Sequence, residues 1–218
     1  VRNRKNPIEA AYALLESKYV LMTGAGGMHY LDELGVPSVD PESLIEPRER
    51  DRLQDALERD PADGLDFGHG GVNMPGDTVG AVAIDHIGRI AAGASTGGIC
   101  GKPPGRMGDR PSRGAGYYAD DLAAGAACTG WGEPLLLMGL ARRAVHLARE
   151  NNAMDATWLA LKDFEERFQG RGGVILIARD GSIGFSYNTP SMATAYMDEE
   201  LQTPFAGGIA ADRPAQDR

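Results

Sequence analysis

Residues 78–96, TVGAVAIDHIGRIAAGAST, carry two apolar runs built mainly from Gly, Ala, Val and Ile around the tight turn His86-Ile87-Gly88. Runs of that length on either side of a turn read as the two strands of a hairpin. Their apolar residues follow one another without alternating, and many are small. Strands of that kind are expected to be covered on both faces. A second hairpin is legible at 173–188, GVILIARDGSIGFSYN, turning at Arg179-Asp180-Gly181, and a further strand at 119–130, ADDLAAGAACTG. Between them stand the two clearest helices. One covers 132–151 with the stripe Leu136, Leu140, Ala144, Leu147; the other covers 153–168 with Trp158, Leu161, Phe164, Phe168. Hairpins flanking a helix pair suggest stacked antiparallel sheets covered by helices.

The N-terminal part is different in character. Asn6 can cap a helix that Pro7 begins, with Ile8, Ala11, Tyr12 and Leu15 as its apolar stripe. The run YVLMTGAGGMHYLDELG then reads as a short apolar stretch, a glycine turn and a second helix. Its glycines are spaced GAGG, not G-x-G-x-x-G, and no βαβ unit with a ribose-binding acid follows, so a dinucleotide site is not indicated. From Pro37 to Gly76 the chain is dense in Pro, Gly, Asp, Glu and Arg, with few large apolar residues. Such a stretch reads as a linker, with a polar helix possible over Arg48 to Arg59. Long connections inside a compact domain generally have a functional reason, and 218 residues suit one domain.

Composition narrows the function classes. A net charge of −9 argues against a nucleic-acid backbone as the main partner. No apolar run reaches the roughly 18 residues of a membrane span, and VRNRKNPIEA has no signal-peptide core. Two cysteines, Cys100 and Cys128, cannot build a disulfide framework, so a reducing cytoplasm is the expected home. The histidines His29, His69, His86 and His146 stand in unrelated contexts, and none belongs to a recognisable hydrolase or metal motif.

Thr78 opens the first apolar run directly after the linker. Taken alone, it is a residue of good β-propensity at a strand start. If the chain were cut between Asp77 and Thr78, however, its hydroxyl would gain its own α-amine as a neighbouring base. An α-amine titrates near 8, so it accepts a proton at working pH without any histidine.

The segment GDTVGAVAIDHIGRIAAGASTGGICGKPPGRMGDRPSRGAGYYAD, followed by CTGWGE, resembles the N-terminal-nucleophile hydrolases of the plant-type asparaginase, isoaspartyl peptidase and glycosylasparaginase family. That family's signature is a T-V-G-A-V-A-x-D strand, an S-T-G-G turn, a G-R-x-G-D loop and a later T-G-x-G, and all four occur here in order. The resemblance covers essentially the whole chain, more weakly over residues 1–36. It implies an α+β fold, the four-layer αββα sandwich. Residues 1–77 would be the end of an α-subunit with its linker at about 37–77, and 78–218 the β-subunit, together one domain. By the same resemblance Thr78 is the nucleophile, released by self-cleavage after Asp77, and Thr96 hydrogen-bonds and tunes it. Arg106 and Asp109 clamp the α-carboxylate and α-ammonium of the substrate. Thr129 and Gly130 supply the oxyanion hole, and Gly132 lies near the substrate's charged end.

The implied activity is hydrolysis of the side-chain amide of L-asparagine or β-aspartyl peptides to aspartate, by a protein that pairs as (αβ)2 and uses no cofactor. Its expected partners are a small molecule or a β-aspartyl dipeptide, with no nucleic acid and no membrane. Glycosylasparaginase activity is the alternative within the family, since an Asp-Thr scissile pair also occurs there. An inactive homologue or partner subunit is the alternative outside it. Family members carry a further N-terminal segment with a first core strand and a sodium-binding loop, so the resemblance also implies an N-terminally truncated chain.

Overall fold

The computed structural model describes residues 1–58 and 78–207. It divides into two compact units, Val1–Val79 with Ser95–Pro111, and Gly80–Ala94 with Ser112–Arg218. The first unit holds α1 (Pro7–Leu15), α2 (Gly24–Glu33), a 3-10 turn at Pro41–Leu44 and α3 (Pro47–Glu58). Pro7 sits in the first turn of α1 as its fixed φ favours, but Asn6 forms no side-chain cap. Its Nδ2 donates instead to Glu9 Oε1 at 2.8 Å. The expected stripe of α1 faces outward: Ile8, Tyr12 and Leu15 are exposed and Ala10 is the buried residue. Periodicity marks a helix as amphipathic, but neighbouring segments decide which arc is covered. In the same unit Arg4 is buried and its Nη2 reaches Asp32 Oδ1 at 2.5 Å. The polar helix expected over Arg48–Arg59 is α3.

The second unit contains the sheets. Strands β1 (Val79–Ile84) and β2 (Ile90–Ser95) form a hairpin, closed by Asp85 N–H donating to the Arg89 carbonyl at 2.9 Å. Strands β3 (Tyr117–Asp120), β4 (Ala124–Gly130), β5 (Gly172–Ala178) and β6 (Ile183–Tyr187) form one antiparallel sheet in chain order. The stretch expected as one strand over 119–130 is therefore the end of β3, a turn and β4, which pair with each other. Helices α4 (Gly132–Met138), α5 (Leu140–Leu147) and α6 (Ala153–Phe168) follow β4, and a small pair, β7 (Thr194–Tyr196) and β8 (Phe205–Gly207), ends the described chain.

Alternation in β4 divides its residues between two layers. Ala124, Ala126 and Cys128 enter a core with Val174 and Leu176 of β5 and with Leu140, Ala144, Val145, Ala156, Ala160, Leu161 and Phe164 of the helices. Each large side chain fully buried there contributes about 1.5–3 kcal/mol. Gly125, on the other face, meets the β1–β2 hairpin: a Cβ built there would lie 2.6 Å from both Ile90 Cγ2 and Val82 Cγ1. Gly80 of β1 also approaches Ala127, whose Cβ would lie 2.9 Å from one built on the glycine. The Ile90 N–H also donates to Asp121 Oδ1 at 2.7 Å, tying the hairpin to the β3–β4 turn. This unit thus stacks helices on a sheet on a second, two-stranded sheet. Contrary to the expected cover on both faces, Ala81, Ala83 and Ala91 are exposed, so small residues serve the close approach on the covered face.

The single helix expected over 132–151 is broken at Gly139, whose φ of +67° is left-handed. The next turn is anchored from outside, because the Ala141 and Arg142 N–H groups donate to the Ala115 and Gly114 carbonyls at 3.3 and 2.9 Å. Helix α6 begins where its sequence indicates, with Asp155 N–H donating to Asn152 Oδ1 at 2.9 Å. Its buried arc includes Leu161 and Phe164, whereas Trp158 is 40% exposed with Lys162 over its ring. Among the described residues no helix is long and apolar enough to cross a membrane.

Candidate active site

Thr78 is half-buried immediately before β1. The Asp85–Arg89 bond sets the hairpin register, and counting outward through two six-residue strands brings Thr78 opposite Thr96. Each stands one residue beyond the paired strands, at opposite ends of the 78–96 segment. Thr96 Oγ1 accepts the Gly98 N–H at 3.1 Å, turning the chain sharply after β2. Gly98 has φ +87°, and a side chain on it would also strike Lys102, whose Nζ donates to the Gly97 carbonyl at 2.5 Å. Lys102 thus braces the S-T-G-G turn. Sequence reasoning missed it, and its only signal was that lysine is rare in this chain.

The same unit carries the G-R-x-G-D loop. The Arg106 N–H donates to the Pro103 carbonyl at 3.1 Å, and its guanidinium lies over Gly108, where a Cβ would sit 3.0 Å from Nη1. Arg106 is half-buried, while Asp109 and its neighbour Arg110 are 5% and 6% exposed. The Asp109 carboxylate is ion-paired with the Arg110 guanidinium. Arg110 is the second residue that sequence reasoning missed. A buried charge beside a buried carboxylate is a matter of tertiary enclosure, since the same dipeptide on a surface would be unremarkable.

Thr129, Gly130 and Gly132 belong to the other unit. Thr129 is half-buried and Gly130 exposed at the end of β4, in register with Gly173 and Gly172 of β5. Gly130 has φ +136°, and a Cβ there would lie 2.3 Å from the Arg171 carbonyl oxygen, so no other residue fits this strand end. The Trp131 N–H donates to that same carbonyl at 3.0 Å, and Gly132, buried, opens α4. Asp77 lies outside the described residues.

Three carboxylates in turns are held below their ordinary range. Asp85 is lowered chiefly by the Arg89 backbone N–H, Asp120 by the Leu122 N–H and then Arg149, and Asp180 by the Ser182 hydroxyl and N–H. These are turn-closing acceptors. Among the described residues no group of three or more His, Cys, Asp or Glu is placed to hold a metal ion. The chemistry on offer at the expected positions is that of hydroxyls, backbone N–H groups and one guanidinium–carboxylate loop.

The model of the asparaginase family matches residues 1–205. The isoaspartyl peptidase/L-asparaginase of Mus musculus is 35% identical over 199 residues, covering 89% of this chain and 59% of the relative. That of Danio rerio is 34% identical over 197 residues, covering 89% and 62%. The plant-type L-asparaginase of Pyrococcus abyssi is 34% identical over 212 residues, covering 93% and 68%. The chain spans about three fifths of the length of the first two relatives.

Proposed function

This chain belongs to the asparaginase family, and on that premise we propose that it is a threonine-nucleophile amidohydrolase acting on L-asparagine or β-aspartyl peptides. The observation that carries the proposal is the family match, which runs through all four motifs and links the chain to relatives named isoaspartyl peptidase/L-asparaginase. Self-cleavage between Asp77 and Thr78 divides it into parts 1–77 and 78–218. In that step the Thr78 hydroxyl attacks the Asp77 carbonyl carbon, the C–N bond shifts to an ester, and water opens the ester. The freed α-amine then takes the hydroxyl proton in each turnover.

In the proposed cycle Thr78 Oγ attacks the substrate's side-chain carbonyl, and ammonia or an amine leaves carrying the proton. The resulting β-aspartyl ester is hydrolysed by water to release aspartate. Thr96 is the hydrogen-bonding partner of the nucleophile, in keeping with the hairpin register that brings it opposite Thr78. Arg106 grips the α-carboxylate bidentately, and the α-ammonium shares the Asp109 carboxylate with Arg110. Thr129 and Gly130 donate to the developing oxyanion, each such donor lowering the barrier by about 3 kcal/mol, and Gly132 leaves room for the substrate's charged end. The reading includes the four-layer αββα architecture of this hydrolase class, assembly as (αβ)2 and a cytoplasmic home, which suits the free thiols Cys100 and Cys128.

The test is direct. Purified protein is expected to resolve into two pieces, one with the N-terminal sequence TVGAVA, and to release ammonia from L-asparagine or aspartate from β-aspartyl dipeptides. Thr78→Ala is expected to abolish both cleavage and turnover while the folded signal in circular dichroism persists. A single intact band with no turnover would sink the enzyme reading, and turnover by Thr78→Ala would sink the nucleophile assignment. Comparing rates on asparagine, β-aspartyl-leucine and a glycosylated asparagine ranks the substrates.

A further inference from the structure

A cavity of about 450 Å³ opens in the second unit, between the 112–115 loop and the α4–α5 junction. Its charged lining residues are all basic: Arg113, Arg142 and Arg143, joined by His146. The chain as a whole carries −9, so this is a local reversal of sign. Arg143 already pairs with Asp163 at 2.7 Å, and Arg149 nearby takes Asp120 at 2.6 Å. Arg113 and Arg142 are different. Among the described residues neither makes a close ion pair, although Arg113 acts through space on the Asp120 carboxylate that Arg149 takes, and both guanidiniums lie over the ring of Tyr118, at 5.0 and 5.9 Å from its centroid. Stacking on a ring orients a guanidinium while leaving its in-plane N–H donors unused.

The rest of the wall is apolar. Leu136, Leu137 and Met138 line the cavity, and Leu137 is 76% exposed. The N–H groups that open α5 are taken by the Gly114 and Ala115 carbonyls, so the donors on offer are side chains. We propose that this cavity is a binding site for a small organic anion, a phosphate or carboxylate head on an apolar body. Arg113 and Arg142 take the head, and the Leu136–Met138 segment takes the body. The volume suits a small molecule and is too small for a polymer, and fork-shaped guanidiniums match both head groups.

The proposal is independent of the hydrolase reading, and the test separates the two. Titration of the full chain with phenyl phosphate, benzoate and inorganic phosphate, followed calorimetrically, is expected to show one saturable site. Phenyl phosphate should bind more tightly than inorganic phosphate, because only it fills the apolar wall; comparing it with benzoate identifies the preferred head. Arg113→Ala or Arg142→Ala, both at exposed positions, is expected to weaken binding roughly tenfold to a hundredfold. Arg142→Lys should fall between Arg142→Ala and the parent protein, and Leu137→Ala should erase the preference for phenyl phosphate. Thr78→Ala should leave the titration unchanged. Absence of saturable binding, or binding indifferent to both arginine substitutions, would overturn the proposal. So would displacement of the probe by stoichiometric L-aspartate, which would place it in the hydrolase site.

Discussion

Gly125→Ala tests how the two sheets are held together. The added Cβ would stand 2.6 Å from Ile90 Cγ2 and 2.6 Å from Val82 Cγ1, well inside contact distance. Both neighbours are β-branched, with one strongly preferred χ1, so neither methyl swings away cheaply. The hairpin must therefore lift from the sheet or its side chains must leave their rotamers, a cost of about 1–3 kcal/mol. For a chain of this size each kcal/mol corresponds to about 2–4 °C, so the melting temperature is expected to fall by roughly 2–12 °C. Thermal unfolding followed by circular dichroism reads this directly. Gly26→Ala is the control: nothing lies within 4 Å of its Cβ, and the position is inside α2. There alanine should stabilise by about 0.5–1 kcal/mol. Val82→Ala removes one of the two opposing methyls, so the double substitution Gly125→Ala/Val82→Ala should cost less than the sum of the singles. An unchanged melting temperature for Gly125→Ala, or strict additivity with Val82→Ala, would refute the close approach of β4 and the hairpin.

Two further outcomes rest on side-chain hydrogen bonds, one buried and one at the surface. Thr157 Oγ1 lies 2.8 Å from the Met154 carbonyl and 2.9 Å from Ser186 Oγ, with both residues enclosed. Thr157→Val should cost about 1–3 kcal/mol by orphaning Ser186, and adding Ser186→Ala should recover much of it in chemical denaturation; additive losses would refute the pairing. The Asp120 carboxyl is held below its ordinary range by the Leu122 N–H at 3.0 Å and by Arg149 at 2.6 Å. A lowered folded pKa stabilises above the unfolded value of about 3.9 and is lost as pH falls through the folded one. Asp120→Asn should therefore lower stability at neutral pH and flatten its decline in acid, and a parallel offset at every pH would count against this account.

The fold was legible wherever short windows carry the instruction. Asp180-Gly181 and Ile87-Gly88 mark turns by their backbone freedom, Gly181 and Gly88 having φ +85° and +81°. The apolar periodicity of 153–168 marks the span that α6 occupies. The four motifs that place the chain in its family are likewise local strings. Tyr117–Asp120 was harder to read as a strand: it is four residues long, and its pairing with Ala124–Ala127 is what makes it one. Of the candidate residues, the proximity of Thr78 to Thr96 follows from a turn visible in sequence, whereas the burial of Asp109 against Arg110 does not.

The amino-acid sequence by itself determined the hairpins, the polar helix α3, the span of α6 and the family, because each is written in turn residues, periodicity or motifs within a few neighbouring residues. Only the tertiary structure decided that α1 turns its apolar stripe outward, that Gly139 breaks a helix whose next turn bonds to Gly114 and Ala115, and that Gly125 is the contact between sheets. It also decided that two arginines lining one cavity share the Tyr118 ring. These properties belong to pairs of segments distant in sequence, and enclosure, close approach and charge pairing are set by whichever segment arrives opposite.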